Sequence, residues 1–433
     1  MKKFIHSLTP KFVLGWYHYC LARVAAIRYG SPSKKMVVIG ITGTKGKTSA
    51  TNFIWSTLMA GGHKTGIIST ANIRIGNEEV LNKYHMTMPG RFTIQALLAR
   101  MVREGCTHCI VETTSEGILQ HRHVGVYYDI AIFTNLTPEH LPSHGGSFEH
   151  YKKTKGKMFD ALFSSHKIIA GKPVQKVIIA NTDDLHSEFY LSYKADRKIT
   201  FGVDSSAEIR ATNIQESDVG ITFAVDGVPF VIHILGRFNI YNALPAIIIG
   251  HLSGMSDAMI GNGLSNLNVI PGRMEQIKEG QAFTVIVDYA HERQSMTHVL
   301  NTAKQMRKPG ARTIVLLGAE GGGRDKSKRP IMGELSARLA EYVIVTNVDP
   351  YEDDPKEILE DIAVAAEKFG KKRGVDLFVI EDRREGIRKA LSLAHAGDVV
   401  LITGKGAEQS IVIGEAPSAW DDRVVVREEL KRL

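Results

Sequence analysis

The chain has 433 residues, few cysteines and no long hydrophobic run, and both shortages limit what it can be. Its three thiols, Cys20, Cys106 and Cys109, cannot form a disulfide framework, so a reducing, cytoplasmic setting is expected. Cys106 and Cys109 have the spacing of a metal or redox pair, but no second pair accompanies them and the apolar residues Ile110 and Val111 follow directly. We therefore predict two buried thiols rather than a zinc or redox site.

Other absences narrow the functional class. The formal net charge is +8, yet the basic residues are scattered and no basic patch rich in aromatic residues accompanies them. No nucleic acid is therefore expected as a partner, and small anionic molecules suit the charge better. The sequence has no internal repeat and no low-complexity tract. Its 43% hydrophobic and 23% charged residues fit an ordinary globular chain of two or three domains.

The first 35 residues differ in character from the rest. Basic residues flank Trp16, Tyr17 and an apolar stretch, which predicts a short basic amphipathic helix. The stretch is shorter than the ~20 residues of a bilayer span and is broken by His18 and Arg23, and no small-residue cleavage site follows. Two interpretations stay open: a peripheral helix on the inner face of a membrane, or a helix packed against the protein body or a partner.

Beyond this segment, strand-like apolar runs alternate with helical patterns, which predicts α/β folds with parallel sheets covered by helices. The alternation gives way to short strands between residues 198 and 235 and resumes after a break near residue 270. We predict an N-terminal helical segment (1–35), a central domain (36–270) and a C-terminal Rossmann-like α/β domain (271–433). The active site is expected in the cleft between the last two domains.

A phosphate-binding loop is the most informative motif of the central domain. An apolar strand ending at Thr42 runs into a glycine-rich turn and then a helix. Glycines allow several N–H groups to face one anion, the helix adds its positive end, and a lysine adds charge. The motif predicts a P-loop ATPase domain in which a threonine hydroxyl reaches magnesium. Its residues are Gly43, Thr44, Lys45, Gly46, Lys47, Thr48 and Ser49.

Polar side chains also follow two other predicted strands. Glu112 ends one of them and suits magnesium, although it can equally cap the next helix. His140 follows another strand end at the same sheet edge, where a structural role is also open. A lysine-rich helix start covers residues 152–157, and spacing alone favours a solvated basic face there.

Ten ordered motifs between Met36 and Glu408 resemble those of the Mur ligase family, most closely its MurE type. The motifs are Gly43-Thr44-Lys45-Gly46-Lys47-Thr48, Glu112-Thr113-Thr114-Ser115, Thr134-Asn135-Leu136 with His140 and His144-Gly145, Tyr151 with Lys155, Asn181-Thr182-Asp183-Asp184, Gly236-Arg237-Phe238-Asn239 with Asn242, Gly272-Arg273-Met274-Glu275, Asp288-Tyr289-Ala290-His291, Arg324-Asp325 with Lys328-Arg329-Pro330, and Gly404-Lys405-Gly406. The resemblance implies peptidoglycan-precursor enzymes that add an amino acid to the peptide of a UDP-N-acetylmuramoyl acceptor while ATP becomes ADP and phosphate.

The resemblance also implies roles for individual residues. The acceptor carboxylate takes the γ-phosphate to form an acyl phosphate, which an amine then attacks. Catalytic roles are implied for Lys47, Glu112, His140 and Lys155. Two magnesium ions are implied on Thr48, Glu112, His140 and a carbamylated Lys155, since a carbamate carries the negative charge that an ammonium lacks. ATP contacts are implied for the loop together with Asn239, Asn242, Arg273, Asp288 and Lys328. Contacts to the peptide acceptor or the amino acid are implied for Thr87, Arg122, Asp349 and Glu408.

The chain departs from the family pattern at several points. Lys45 replaces an asparagine and adds a cation beside the phosphates. The segment 348–351 lacks the arginine that pairs with diaminopimelate, so that amino acid is not inferred. Thirty-five residues are too few for the family's separate UDP-binding domain, so the carrier of the muropeptide-like acceptor, UDP or lipid, stays open. Two alternatives remain: a ligase of the folylpolyglutamate or cyanophycin synthetase kind, and a nucleotide-binding scaffold without ligase activity.

Overall fold

The computed structural model describes residues 11–82, 84, 86–139, 141–204, 206–217 and 219–433. The chain divides into two compact units. The first runs to Gln215 and takes in Ile221–Ile232 and Asn239–Asn268; the second takes in Val269–Leu433 together with Glu216–Gly220 and His233–Phe238. The domain boundaries at residues 35 and 270 stay predictions.

The α-helices of the described residues are Lys11–Arg28 (α1), Lys47–Ala60 (α2), Arg91–Arg103 (α3), Ser115–Leu119 (α4), Phe148–Asp160 (α5), Ser187–Leu191 (α6), Asn239–Leu252 (α7), Asp257–Ser265 (α8), Arg293–Met306 (α9), Lys328–Leu339 (α10), Pro355–Lys368 (α11), Arg383–Ser392 (α12) and Asp422–Leu430 (α13). Short 3₁₀ turns are Pro32–Lys35, Leu141–His144 and Ala161–Ser164.

The strands are Val37–Thr42 (β1), Thr65–Ile68 (β2), Asn72–Ile75 (β3), Glu78–Leu81 (β4), His108–Glu112 (β5), Ile130–Phe133 (β6), Ile168–Ile169 (β7), Lys172–Pro173 (β8), Val177–Asn181 (β9), Arg197–Gly202 (β10), Ile209–Ser217 (β11), Gly220–Val225 (β12), Val228–Ile232 (β13), Glu275–Ile277 (β14), Thr284–Asp288 (β15), Thr313–Leu317 (β16), Tyr342–Val345 (β17), Leu377–Val379 (β18), Val399–Thr403 (β19), Ser410–Ile413 (β20) and Ala416–Ala419 (β21).

A large mixed sheet organises the first unit, in the order β13-β12-β11-β10-β9-β6-β1-β5-β2-β3-β4. Its middle is parallel: β1 pairs with both β5 and β6, and β9 continues the run beside β6. These central strands are almost continuously buried and apolar, as expected for a parallel sheet covered on both faces. Because parallel strands end at one edge, Thr42, Glu112 and Phe133 bring the loops that follow them together.

The second unit has its own sheet, in the order β14-β15-β19-β16-β17-β18. Only the first pair is antiparallel, and the other neighbours are parallel. Apolar residues of α9, α10 and α11 form the core on one face, and those of α12 and α13 form the core on the other. Both units thus confirm the predicted α/β class with parallel sheets.

Helix α1 presents two different faces. Ala22, Ala25 and Ala26 are buried, and the helix packs against α3. Trp16 and Ile27, in contrast, are 71% and 72% exposed. Within the described residues, no helix combines the length and the apolar character that crossing a bilayer requires.

The two closely spaced cysteines are buried free thiols, as predicted. Cys109 lies inside β5, and burial raises the pKa of its thiol above the ordinary value. Such a thiol stays protonated and makes a poor nucleophile or metal ligand.

Candidate active site

The loop after β1 has a backbone that only glycine suits at two positions. Gly43 has φ of 152° and Gly46, which precedes α2, has φ of 82°. A Cβ atom at Gly43 would lie 2.0 Å from Thr134 Oγ1, and one at Gly46 would lie 2.2 Å from Asn242 Oδ1. Any side chain at either position would therefore collide with a neighbour as well as strain the backbone.

The end of the neighbouring strand β6 fixes the shape of this loop. Lys45 N–H donates to Asn135 Oδ1 over 2.8 Å, and Thr44 N–H donates to the Asn135 carbonyl over 2.8 Å. The Thr134 hydroxyl donates to the Lys45 carbonyl over 2.7 Å. The loop is thus held in one conformation by the two residues that follow β6, which lowers the ordering cost of binding an anion.

Two lysines of the loop have different partners. Lys47 Nζ donates to the carbonyls of Gly43 and Thr44 over 3.0 and 2.8 Å, so its charge lies within the loop. Lys45 Nζ forms an ion pair of 2.7 Å with Glu139. The extra cation that distinguishes this loop from the family pattern is therefore matched by a nearby carboxylate.

Glu112 is a buried carboxylate at the end of β5, with 2% of its surface exposed. The Thr48 hydroxyl donates to its Oε2 over 3.0 Å. Thr70 contributes two more bonds, from its N–H to Oε2 (2.9 Å) and from its hydroxyl to Oε1 (3.0 Å). The Thr87 hydroxyl lies 2.8 Å from that of Thr70, so Thr87 reaches Glu112 through one intermediate.

The alternative that Glu112 caps the next helix is wrong. Helix α4 is capped by Thr114, whose hydroxyl accepts from Gly117 N–H over 3.1 Å. The Glu112 side chain instead faces the first turn of α2, where Thr48 lies. Ser49 follows in the same turn and is also buried.

Lys155 comes to the loop from α5, which begins after Ser147, whose hydroxyl accepts from His150 N–H over 3.2 Å. It is 2% exposed, and its Nζ donates to the Gly43 carbonyl over 2.9 Å. Burial first, and then the charge of Lys47, lower the pKa of the Lys155 amine well below its ordinary value. This direction of shift favours the neutral amine over the ammonium.

The prediction of a solvated basic face, which lysine spacing alone favoured, is therefore wrong for Lys155. Lys153, on the same helix, is exposed and lies 3.6 Å from Glu149, as a solvated face requires. Lys155 instead belongs to the buried side of α5, with its Nζ 4.6 Å from the centre of the Tyr151 ring.

The donor set beside the loop fits a magnesium ion. Glu112 and Thr48 offer a carboxylate and a hydroxyl within hydrogen-bond distance of each other, and hard oxygen donors suit this cation. Among the described residues, no group of three His, Cys, Asp or Glu side chains could hold a metal alone. Magnesium is commonly bound by one or two protein oxygens plus substrate phosphates, which agrees with this arrangement. His140 lies outside the described residues.

Two further predicted residues of the first unit lie near the loop. Asn239 and Asn242 are buried in the first turn of α7 and bond to each other over 2.8 Å, with Asn242 against Gly46.

Arg122, predicted to contact the acceptor, donates to the Met88 carbonyl and, over 2.6 Å, to Gln120 Oε1. No direct bond joins Arg122 to the loop among the described residues.

In the second unit, Asp288 organises the turn after β15. Its carboxylate accepts from Met274 N–H and from Ala290 N–H, each over 2.7 Å. Arg273 stacks 4.4 Å over the Tyr289 ring. Lys328 Nζ, at the start of α10, donates to Glu292 over 3.0 Å. These three predicted residues therefore have well-defined partners inside their own unit.

Asp349 and Glu408 share one buried lysine. Lys405 Nζ lies 2.7 Å from Asp349 and 2.6 Å from Glu408. Burial raises the pKa of the Glu408 carboxyl, against the opposing effect of Lys405. Gly272 packs against the backbone next to Lys405, because a Cβ atom at Gly272 would lie only 2.1 Å from Ala407 N. The motif that begins at Gly272 and the motif Gly404-Lys405-Gly406 are therefore in contact.

Sequence reasoning missed Thr70 and gave His144 no role. Thr70 follows the end of β2, at the same sheet edge as Glu112. Its position just after a strand is the feature of the sequence that could have identified it. His144 is buried, its Nε2 lies 3.0 Å from Ser115 Oγ, and burial lowers the pKa of its ring to about 4. Its ring is therefore neutral near pH 7.

Comparisons with known proteins agree with this geometry. A family model described as "Mur ligase middle domain" matches residues 41–250, and one described as "Mur ligase, glutamate ligase domain" matches residues 272–406. The chain is 38% identical over 416 residues to a UDP-N-acetylmuramoyl-L-alanyl-D-glutamate–2,6-diaminopimelate ligase of Bacillus cereus, covering 95% of this chain and 81% of the relative. It is 34% identical to a UDP-N-acetylmuramyl-tripeptide synthetase of a Roseiflexus species, covering 95% and 82%.

Solved structures show the same likeness. A UDP-N-acetylmuramoyl-L-alanyl-D-glutamate–2,6-diaminopimelate ligase structure matches with a TM-score of 0.60 and 27% identity, covering 92% of this chain and 78% of that one. A folylpolyglutamate synthase of Mycobacterium tuberculosis matches with a TM-score of 0.71 at 18% identity, covering 89% and 92%. The second likeness shows a shared fold alone.

Proposed function

The chain belongs to the Mur ligase family of ATP-dependent, ADP-forming acid–amino-acid ligases, and we propose that it adds an amino acid to a muropeptide in peptidoglycan precursor synthesis. The observation that carries this proposal is the meeting of four groups at one sheet edge. Lys47, Thr48, Glu112 and Lys155 come from α2, β5 and α5, and hydrogen bonds join them to the loop or to each other. A purely structural loop has no need of a buried carboxylate and two lysines around one carbonyl.

The loop residues act on the phosphates. Loop N–H groups and Lys47 bind the β- and γ-phosphates, and the ammonium charge offsets the negative charge that builds up as the γ-phosphoryl group moves to the acceptor carboxylate. Glu112 and Thr48 would hold magnesium, which would supply further positive charge against the phosphate oxygens. Thr70 fixes the Glu112 carboxylate, and Asn239 and Asn242 contact the adenine.

Lys155 acts as a carbamate in this proposal. Its neutral amine attacks carbon dioxide and forms a C–N bond, and one N–H proton leaves to solvent, so the neutral amine becomes an anionic carbamate that would face a second magnesium. The burial of Lys155 and its contact with the loop support this role, because an ammonium there would repel a metal. His140 belongs to the same proposed set of ligands.

The second unit receives the amine in this proposal. Asp349 and Glu408 are two carboxylates close to one lysine, and carboxylates suit an incoming ammonium group. Arg273, Asp288 and Lys328 contact the nucleotide. Thr87 and Arg122 contact the peptide acceptor or its carboxylate.

The acceptor carrier is tested most directly by measuring ADP release. The intact protein is given ATP and magnesium with each of a panel of amino acids, and with UDP-linked, lipid-linked or carrier-free muramoyl dipeptide. We expect release to require both one amino acid and one acceptor. The same background rate in every combination would overturn the ligase assignment.

We also propose that this cytoplasmic enzyme contacts an anionic membrane surface through α1, which would suit a lipid-linked acceptor. The exposed Trp16, Val24 and Ile27 share the helix with the exposed cations Arg23 and Arg28, and its opposite face is buried.

The membrane contact has a matched test. The double variant Trp16→Ser/Ile27→Ser removes exposed apolar surface from α1, and we expect it to lose flotation with vesicles containing phosphatidylglycerol. Leu185→Ser/Val375→Ser removes exposed apolar side chains elsewhere and should still float. Equal flotation of both variants would refute the role of α1.

A further inference from the structure

We propose that the first unit carries a second anion site, which takes a phosphate ester, in a cavity between α1 and the amino-terminal edge of the sheet. The cavity has a volume of about 680 Å³, in the range of small-molecule sites. Four separate stretches of the chain line it: α1, the turn before β1, the loop before β6, and the segment around Lys167.

The cavity is lined by three cationic side chains, those of Arg23, Lys34 and Lys167, and by no acidic residue. His123 and His166 also contribute to its wall. The Arg23 guanidinium lies 3.5 Å from the Tyr127 hydroxyl, and Lys34 Nζ lies 4.7 Å from the centre of the Tyr127 ring. Neither Arg23 nor Lys34 is paired with a carboxylate within the described part of the chain, so both charges are available to a ligand.

The deep wall carries excess positive charge as well. Lys167 is 4% exposed, and its Nζ bonds to Asp129 and to the carbonyls of Ser33 and Met36. Asp129 also pairs with Lys176 over 2.8 Å, so one buried carboxylate serves two buried ammonium groups. A ligand carrying negative charge would compensate the remaining positive charge, which a neutral ligand cannot do.

Two buried polar atoms of the lining residues have no hydrogen-bond partner in the described structure. They are Ser165 Oγ and His123 Nδ1. Buried polar groups normally find a partner, and a ligand with several oxygen atoms, or water bound with it, can supply one after a small side-chain rotation. The combination of free cations and unpaired polar atoms favours a phosphate over a carboxylate, since phosphate offers more acceptor oxygens.

This cavity is separate from the nucleotide site. Lys34 precedes β1, and the phosphate-binding loop follows it. Six residues of strand separate the two, which corresponds to about 20 Å. The two sites therefore lie at opposite edges of one sheet, and the proposal does not depend on the ligase reaction.

The test is a pair of double variants that remove the same charge. Arg23→Ala/Lys34→Ala removes the two cations of the cavity wall, whereas Lys35→Ala/Lys172→Ala removes two exposed cations of the same unit that lie outside α1 and do not line the cavity. Binding of glycerol 3-phosphate is measured by calorimetry with ADP and magnesium present to fill the loop. Co-sedimentation is measured with phosphatidylcholine vesicles that contain or lack phosphatidylglycerol.

We expect glycerol 3-phosphate to bind the wild type at one site. The first variant should weaken binding about tenfold or more, and the second less than about twofold. The same ranking in vesicle binding identifies a lipid headgroup as the source, and its absence there identifies a soluble phosphate ester. Failure of both probes to bind the wild type, or equal losses in both variants, would overturn the site. ADP release with UDP-linked or carrier-free muramoyl dipeptide, which needs no membrane contact, should be the same in all three proteins, and this separates the outcome from failure of the ligase proposal.

Discussion

One buried lysine lies at one edge of the large sheet and two lie at the opposite edge, and the surroundings of the two edges differ. At the carboxyl-terminal edge, Lys155 donates to a neutral carbonyl, that of Gly43, and forms no ion pair with any carboxylate in the described part of the chain. At the amino-terminal edge, Lys167 and Lys176 bond to one carboxylate, Asp129, over 2.5 and 2.8 Å. All three lysines are at most 4% exposed.

The comparison separates a lysine prepared for chemistry from lysines that hold the fold. Burial lowers the pKa of Lys155 far below its usual value, whereas Lys167, with a carboxylate beside it, has a pKa of about 8 and remains mainly charged near pH 7. A buried amine without a counter-ion favours its neutral form, which is the reactive one. A buried amine with a counter-ion is part of the structure.

The largest expected effect comes from removing the shared carboxylate. Asp129→Asn leaves two buried ammonium groups without a counter-ion, so we expect the free energy of unfolding to fall by about 3–5 kcal/mol. Urea denaturation measures this loss. As a control, the triple variant Asp129→Leu/Lys167→Met/Lys176→Met removes the charges together and should lose much less. A loss in the triple variant as large as in Asp129→Asn would contradict the view that unpaired charge is the cause.

The corresponding change at the other edge should affect turnover instead. We expect Lys155→Ala to lower kcat by about 100- to 1000-fold, because a group that faces the reacting phosphates is lost. ADP release with and without added short-chain carboxylate measures the loss and its rescue. Lys153→Ala, on the exposed face of the same helix, is the matched control and should keep normal turnover. Normal turnover in Lys155→Ala would remove the distinction drawn between the two edges.

Sequence patterns could predict one edge better than the other. The strand, glycine turn and helix around Gly43 form a continuous local motif, and Glu112 could be assigned to the same edge because parallel strands share their direction. The burial of Lys155 depends on which side of α5 faces the loop, and lysine spacing does not contain that information. The cavity near Lys34 is formed by four segments that are far apart in the sequence, so no local sequence pattern predicts it.

A pH titration sharpens the comparison further, because each edge holds a buried histidine. Burial lowers the pKa of both His123 and His144 to about 4, below their ordinary value of 6.5. Between those pH values the unfolded chain binds protons that the folded chain does not, so stability is full above about pH 6.5 and falls as the pH drops. Each ring contributes a loss on the order of 3 kcal/mol by pH 4.

Substitution of one of these histidines tests the sign. Urea denaturation at several pH values between 6.5 and 4 should show a shallower decline for His123→Leu than for the wild type. Leu185→Gln changes an exposed side chain that binds no proton and should leave the decline unchanged. An equally steep decline in His123→Leu would show that this ring is not the source.

The smallest expected effect concerns Thr70, which touches Glu112 without belonging to the loop. Because a carboxylate only accepts, the single Thr70 hydroxyl proton goes to Glu112, and Thr87 donates to Thr70. Thr70→Val keeps the shape and the backbone bond to Glu112 but removes that proton, so we expect kcat to fall about tenfold, with little change in KM for ATP. Thr57→Val makes the same change at a buried hydroxyl of α2 that has no hydrogen-bond partner among the described residues, and should leave kcat unchanged. A higher KM for ATP with an unchanged kcat would contradict this expectation. It would show that Thr70 contributes to nucleotide affinity and not to the positioning of Glu112.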